Sequence, residues 1–263
     1  MIELNKIYNE DCLEGMKRIP DGSVDCIICD LPYEVLNKSN PDAQWDRIIP
    51  FAALWAQYER IIKSNGAIVL FAQGMFTAKL MMSKESLWRY NLIWEKDRST
   101  GFLNANRMPL RNHEDVCVFY KSLPVYNPQF IIGLKNHHRG AQGRLTNRTY
   151  GKFTPAEETF TNEKYPVSVI HISKEHKKEN FYHPTQKPVS LISYLIMTYT
   201  NEGETVLDNC MGSGTTAIAA IRTKRNFIGF ELNKEYFDIA NKRIKAEQQQ
   251  LSLFYQVSKK ENK

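Results

Sequence analysis

Apolar positions along the chain follow two rhythms. Short runs rich in β-branched residues, Val24–Cys29, Ala67–Phe71 and Leu92–Trp94, read as buried strands. Between them, Phe51–Lys63 and Phe76–Lys84 read as helices. Strands that alternate with helices imply parallel βαβ units, and Val116–Tyr120 continues the sheet. The rhythm breaks at about Ser122. Residues 122–182 carry scattered Pro and Gly, many polar side chains and little periodicity, which predicts an insertion or small subdomain. Regular signals return with a helix at Pro188–Thr200, a strand at Thr205–Leu207, a helix at Thr215–Thr223, a strand at Phe227–Phe230 and a helix from about Lys234 to Gln248. The expected fold is α/β, a doubly wound and mostly parallel sheet. Residues 1–121 and 183–250 form one domain, interrupted by the 122–182 insertion and followed by a tail at 251–263.

Composition narrows the class. Hydrophobic residues make up 42% of 263, enough to bury a substantial core. No apolar run reaches the roughly 18 residues that a membrane span needs. Met1–Glu10 lacks the apolar region of a signal peptide, so the default compartment is the cytoplasm and no membrane partner is expected. Five dispersed cysteines argue against a disulfide framework. Cys26 and Cys29 form a C-x-x-C, but on a strand they point to opposite faces, so no metal site is expected. The formal charge is +6, and its placement matters more than its size. Lys121 to Ala156 holds six Lys or Arg and no acid, which equals the net charge of the whole chain. Such a segment suits a polyanion; it equally suits a solvated basic loop.

Two stretches carry candidate chemistry. In TVLDNCMGSGTT, Thr205–Thr216, a strand ends at Asp208 and a turn containing Gly212 and Gly214 leads into a helix. Glycines there let backbone approach a ligand at the carboxyl edge of a parallel sheet. The G-x-G is a weak signal alone, since Ala217 replaces the third glycine of the dinucleotide fingerprint. The next strand ends in Glu231, placed to accept both hydroxyls of a ribose, so this half reads as a nucleoside-binding unit. In CIICDLPYEV a strand ends at Asp30-Leu31-Pro32-Tyr33, where proline stiffens the turn and projects Asp30 and Tyr33 from the sheet edge. A carboxylate beside an aromatic ring can hold a planar amine; a plain turn with a core tyrosine is the alternative.

Asp30–Tyr33 resembles the D-P-P-Y motif of amino-methyltransferases acting on DNA, with Leu31 in place of the first proline. DNCMGSGTT resembles the S-adenosylmethionine (SAM) motif of that family, HPTQKP at His183–Pro188 the segment before it, and NEDCLEGMKRIPDGSVDCIICD their opening. The catalytic motif precedes the cofactor motif, as in the circularly permuted β group. The resemblance covers about residues 7 to 245 and is weakest in 122–182.

The resemblance implies a SAM-dependent methyltransferase fold, Rossmann-like and permuted, with 122–182 as its target-recognition region. Asp30 and the Leu31 carbonyl accept the two hydrogens of the target amine, Pro32 holds the turn, and Tyr33 stacks on a base flipped from double-stranded DNA. Asp208, Asn209, Cys210 and the Gly212, Ser213, Gly214, Thr215 and Thr216 loop line the methionine part of SAM. Glu231 takes the ribose, Thr185 and Lys187 the carboxylate, Asp11 and Cys12 the neighbourhood of the adenine, and Asp30 also borders the cofactor. Lys187 as a solvated lysine and Cys12 as a core residue are the plain alternatives. Lys135, Arg139, Arg144 and Arg148 are expected on DNA phosphates.

An aspartate opening the tetrapeptide goes mainly with N6 of adenine. Cytosine-N4 methylation and a non-catalytic nucleotide-binding protein are the other readings. A homodimer, with Phe76, Met81, Met82 and Trp88 as candidate contacts or core residues, and a cognate restriction endonuclease complete the expectations.

Overall fold

The computed structural model describes residues 2–34, 46–134, 146–147, 151–152, 162–173 and 186–261. They fall into two compact units, one of residues 1–127 with 168–263 and one of Pro128–Val167.

In chain order the first unit holds β1 (Lys6–Tyr8), α1 (Cys12–Met16), β2 (Val24–Asp30), α2 (Phe51–Ile61), β3 (Ile62–Ala72), α3 (Met75–Ser83), β4 (Trp88–Thr100) and β5 (Arg111–Phe119). Among its described residues the second unit holds four two-residue strands, β6 (Ile131–Ile132), β7 (Thr146–Asn147), β8 (Gly151–Lys152) and β9 (Glu163–Lys164), paired antiparallel as β6 with β9 and β7 with β8. The first unit then resumes with β10 (Val169–His171), α4 (Val189–Tyr199), β11 (Thr205–Asp208), α5 (Thr215–Arg222), β12 (Asn226–Phe230) and α6 (Lys234–Glu261).

Eight strands form the main sheet in the order β1-β12-β11-β2-β3-β5-β4-β10. All neighbours pair in parallel except β5, which runs antiparallel to both β3 and β4. The α/β, mostly parallel fold expected from the hydrophobic rhythm is therefore present. Three elements of the first unit were not legible in that rhythm: β1, α1 and β10 span three to five residues, too short for a period to show. Within the 122–182 stretch, the separate unit is 128–167, while Val169–His171 extends the main sheet beside β4.

The sheet buries both faces, as parallel sheets do. Cys26 and Ile28 of β2 join Val69, Phe71 and Val206 under α4, α5 and α6. Ile27 and Cys29 face the other way, with Leu70 and Leu207 under α1, α2 and α3. The C-x-x-C thus straddles the sheet, one thiol on each side. A register shift after Val24 puts that residue on the Ile27 face. In α2 the buried positions Leu54, Trp55, Tyr58 and Ile61 follow helical spacing and form one stripe. Buried Asp25 ties three strands together: its carboxylate pairs with Lys63 at 2.6 Å and accepts from the Thr205 amide at 2.9 Å. Of the aromatic and methionine side chains expected at a partner surface or in the core, Phe76 is buried and Met81 packs on the core, whereas Met82 and Trp88 are exposed.

The arrangement that positions the site is the juxtaposition of β11 and β2. From β11 the chain crosses through α5 to β12 on one side; from β2 it crosses through α2 to β3 on the other. A crevice opens at the carboxyl ends of strands where the winding reverses.

Candidate active site

A cavity of about 750 Å³ occupies that crevice, within the range of small-molecule sites. One wall comes from the ends of β11 and β12. After Asp208 the chain turns through Gly212 (φ 54°) and Gly214 (φ 87°), a left-handed backbone that glycine adopts without strain. Gly214 also lets α5 pack closely on α6, since a Cβ there would lie 3.0 Å from the Ala240 Cβ. The loop is held by its own acids. Asp208 accepts from the Thr216 hydroxyl at 2.6 Å and the Cys210 amide at 3.0 Å. Glu231 accepts from the Gly212 amide and the Asn233 amide, each at 2.7 Å. The Asn209 side-chain oxygen accepts from the buried Tyr58 hydroxyl at 2.5 Å. Burial pushes the Asp208 carboxyl up to about 6 despite the Thr216 bond, and burial likewise raises Glu231.

The opposite wall is the end of β2. Asp30 and Tyr33 clasp each other, the Tyr33 hydroxyl donating to Asp30 Oδ1 at 2.6 Å. The turn is locked by Asp46, whose Oδ1 accepts from the Tyr33 amide at 2.8 Å and the Glu34 amide at 3.0 Å. The Tyr33 ring packs on Phe76 with centroids 4.8 Å apart. Leu31 is buried in the core, so the residue replacing proline anchors the turn by packing.

Between the walls runs a chain of buried charges. The Lys187 ammonium pairs with Asp30 Oδ2 and lies 3.2 Å from Glu114 Oε2. It sits 5.0 Å over the Phe71 ring. The other oxygen of Glu114 meets Lys96 at 3.0 Å. Glu114 Oε2 has no hydrogen bond aligned on it among the described residues, so its contact with Lys187 is an ion pair. Burial pushes the Asp30 carboxyl up, and Lys187 opposes that without cancelling it. Burial also works against Glu114, but the Lys187 and Lys96 ammonium groups outweigh it and hold that carboxyl at about 2. Lys187 is held above the ordinary lysine range because Asp30 and Glu114 outweigh its burial.

The structure brings most of the expected catalytic and cofactor residues to this one cavity. Asp30, Leu31, Pro32 and Tyr33 line it, as do Asp208, Asn209, Cys210, Gly212, Ser213, Thr215, Thr216 and Glu231. Gly214 shapes the turn behind them. Cys12 lines the cavity, and so does Asp11, whose carboxylate caps α1 by accepting from the Leu13 and Glu14 amides at 2.8 and 3.3 Å. Lys187, expected at the SAM carboxylate, has its ammonium on Asp30, and its neighbour Gln186 accepts from the Ser213 hydroxyl at 3.0 Å. The segment before α4 thereby joins the two walls. Thr185, Lys135, Arg139, Arg144 and Arg148 lie outside the described residues.

Sequence reasoning does not reach Glu114, Lys96 and Asp46. Glu114 is one of five polar residues that open the strand Arg111–Phe119 and nothing in the sequence singles it out, just as nothing local points to Asp46. Leu232 and Tyr236, which line the cavity beyond Glu231, also escape it.

The cavity fits a nucleoside with a charged side arm. Glu231 keeps lone pairs free for a diol, apolar Ile28, Met211 and Leu232 offer a surface for a purine, and polar Asp208, Asn209 and Ser213 face the loop.

Comparison with known proteins agrees with this geometry. The family model described as DNA methylase, of the N6/N4 methyltransferases, matches residues 24–242. The chain is 28% identical over 258 residues to the type II methyltransferase M.BglII of Bacillus subtilis, covering 90% of this chain and 68% of that protein. It is 28% identical over 250 residues to the DNA adenine methyltransferase YhdJ of Escherichia coli K12, covering 92% and 83%. The crystal structure of the M1.HpyAVI–SAM complex superposes with a TM-score of 0.62 at 25% identity, covering 91% of this chain and 98% of that one. A single cavity that joins an Asp-Leu-Pro-Tyr turn to a glycine loop, within a matching family region of more than two hundred residues, leads to one conclusion: the chain belongs to the DNA methylase family and is a DNA methyltransferase of the N6/N4 amino-methyltransferase group.

Proposed function

We propose that the chain transfers a methyl group from SAM to N6 of adenine in duplex DNA. The observation that carries this reading is that Asp30–Tyr33 and the Gly212–Glu231 elements line one cavity. When bound, SAM supplies an electrophilic methyl on a sulfonium. Glu231 accepts from the ribose hydroxyls, and the Gly212–Thr216 loop carries the amino-acid arm.

Asp30 accepts one hydrogen of the target amine, and the Leu31 carbonyl accepts the other. Each Asp30 oxygen already accepts one bond, from Tyr33 or from Lys187, and retains a lone pair for the base. Two preplaced acceptors draw the amine nitrogen toward a tetrahedral form and free its lone pair for attack. The N–C bond forms as the S–C bond breaks, and one amine proton leaves to Asp30, whose raised pKa suits it to that task. The target base must be flipped, because its amine is otherwise paired.

Adenine is favoured over cytosine by the aspartate that opens the tetrapeptide and by the relative named as an adenine methyltransferase. The experiment is expression in a host lacking DNA methylation, with the DNA digested to nucleosides and sequenced for modified bases. N6-methyldeoxyadenosine at one sequence context is expected. N4-methyldeoxycytidine would transfer the same chemistry to the other amine, and 5-methyldeoxycytidine would overturn the mechanism.

A further inference from the structure

β4 and β5 form a hairpin whose open end, residues 101–110, follows directly on the strand ends beside the cavity. Glu114 of β5 lines the cavity, and Arg111 at the base of the hairpin donates to Gln73, another lining residue, at 2.8 Å. The tip is an ordered turn. Gly101 (φ 85°) reverses the chain, and the amides of Asn104, Ala105, Arg107 and Met108 bond back to carbonyls of Gly101, Phe102 and Asn104 at 2.8 to 3.1 Å.

The side chains on that turn are unusual. Phe102 is 75% and Leu103 85% exposed, and Met108 and Leu110 are exposed as well. Such an apolar group on the surface marks a contact site. From Arg98 to His113 the chain has three arginines and no acid. Apolar side chains set among arginines complement one kind of partner: a polyanion with an apolar stacked interior. The reaction needs a base removed from such a stack, and removal leaves a gap. Side chains such as Phe, Leu and Met enter base steps in other DNA-bending proteins.

We infer that the 101–110 loop enters the duplex, with Phe102 and Leu103 filling the gap left by the extruded base and Arg98 and Arg107 on the flanking phosphates. The inference rests on the proposed function, since it needs a flipped target.

The test uses the full chain with Phe102→Ala and Leu103→Ala together. The probe is a duplex carrying the recognition site found by modified-base sequencing, and a matched duplex with an abasic site opposite the target base. The double variant is expected to bind SAM as the wild type does and to lose about tenfold or more in kcat/KM on the paired duplex. On the duplex whose target is already unpaired it recovers to within about threefold of the wild type, because less opening work remains. The variant with Phe102→Leu and Leu103→Met, which keeps apolar bulk, retains activity on both. An unchanged rate on the paired duplex overturns the inference, as does an equal loss on both duplexes or a sedimentation change with intact kinetics, which assigns the loop to a subunit contact. Failure of the reading beneath it shows separately, as a wild-type enzyme that leaves no methylated base in any DNA.

Discussion

At Asp30, burial, two neighbouring charges and the Tyr33 hydrogen bond act on one carboxyl. Burial favours the protonated form, Lys187 favours the ionised form, and Glu114 works against ionisation from beyond the lysine. The net result is a raised pKa on the group that, in the proposed mechanism, must be ionised to accept the amine hydrogen. Activity is therefore lost as the pH falls through that pKa. Lys187 has two consequences: it lowers the Asp30 pKa against burial, and it fixes one carboxylate oxygen while Tyr33 fixes the other. Replacing Lys187 with Met leaves only the Tyr33 hydrogen bond against burial and Glu114, so the Asp30 pKa rises further. The acidic limb of the kcat–pH profile is then expected to move to higher pH, with SAM affinity changed much less than kcat. A limb that stays in place would show that Lys187 does not set the ionisation of Asp30. The residues of this network were unevenly legible. Asp30 and Tyr33 stand three apart in one motif, and their proximity is written in the chain. Lys96 and Glu114 come from adjoining strands, and only strand pairing brings them to Lys187. Chain order carries no sign of that.

At the scale of elements, long apolar runs revealed the central strands and the helices over them, because burial on both faces leaves a continuous signal. Short elements escaped. α1 is five residues long and forms where Asp11 caps it, and β1 and β10 gain their strand form from neighbours already in the sheet. The reversed direction of β5 was equally hidden, since an antiparallel strand buried on both sides has the same composition as a parallel one. The basic stretch Lys121–Ala156 belongs to this scale as well. We propose that Lys135, Arg139, Arg144 and Arg148 neutralise phosphates and that this region reads the target sequence, on the ground that it holds six cations and no acid. Replacing Arg139, Arg144 and Arg148 together with alanine should weaken DNA binding and reduce the slope of log affinity against log salt by roughly 0.9 for each phosphate no longer neutralised. SAM affinity should hold, because the cofactor elements lie elsewhere in the chain. A folded triple variant with unaltered DNA affinity and salt slope would reduce the stretch to a solvated loop.

At the scale of the molecule, the site exists because two βα units wind away from each other. β11 with its glycine loop supplies one wall, which we propose takes the cofactor, β2 with Asp30–Tyr33 supplies the other, which we propose takes the base, and the segment Gln186–Lys187 spans them through Ser213 and Asp30. This division of labour makes the two functions separable. In the proposed reading Asp30 faces the target amine, whereas Asp208 and Glu231 hold the loop on the far wall. The most direct measurement compares wild type and Asp30→Ala for methyl transfer to DNA and for equilibrium binding of SAM. Transfer is predicted to fall by about two to three powers of ten, the usual cost of removing one preplaced acceptor, while SAM affinity stays close to that of the wild type. Transfer within about threefold of wild type would contradict the account, because a preplaced acceptor cannot be removed at so small a cost.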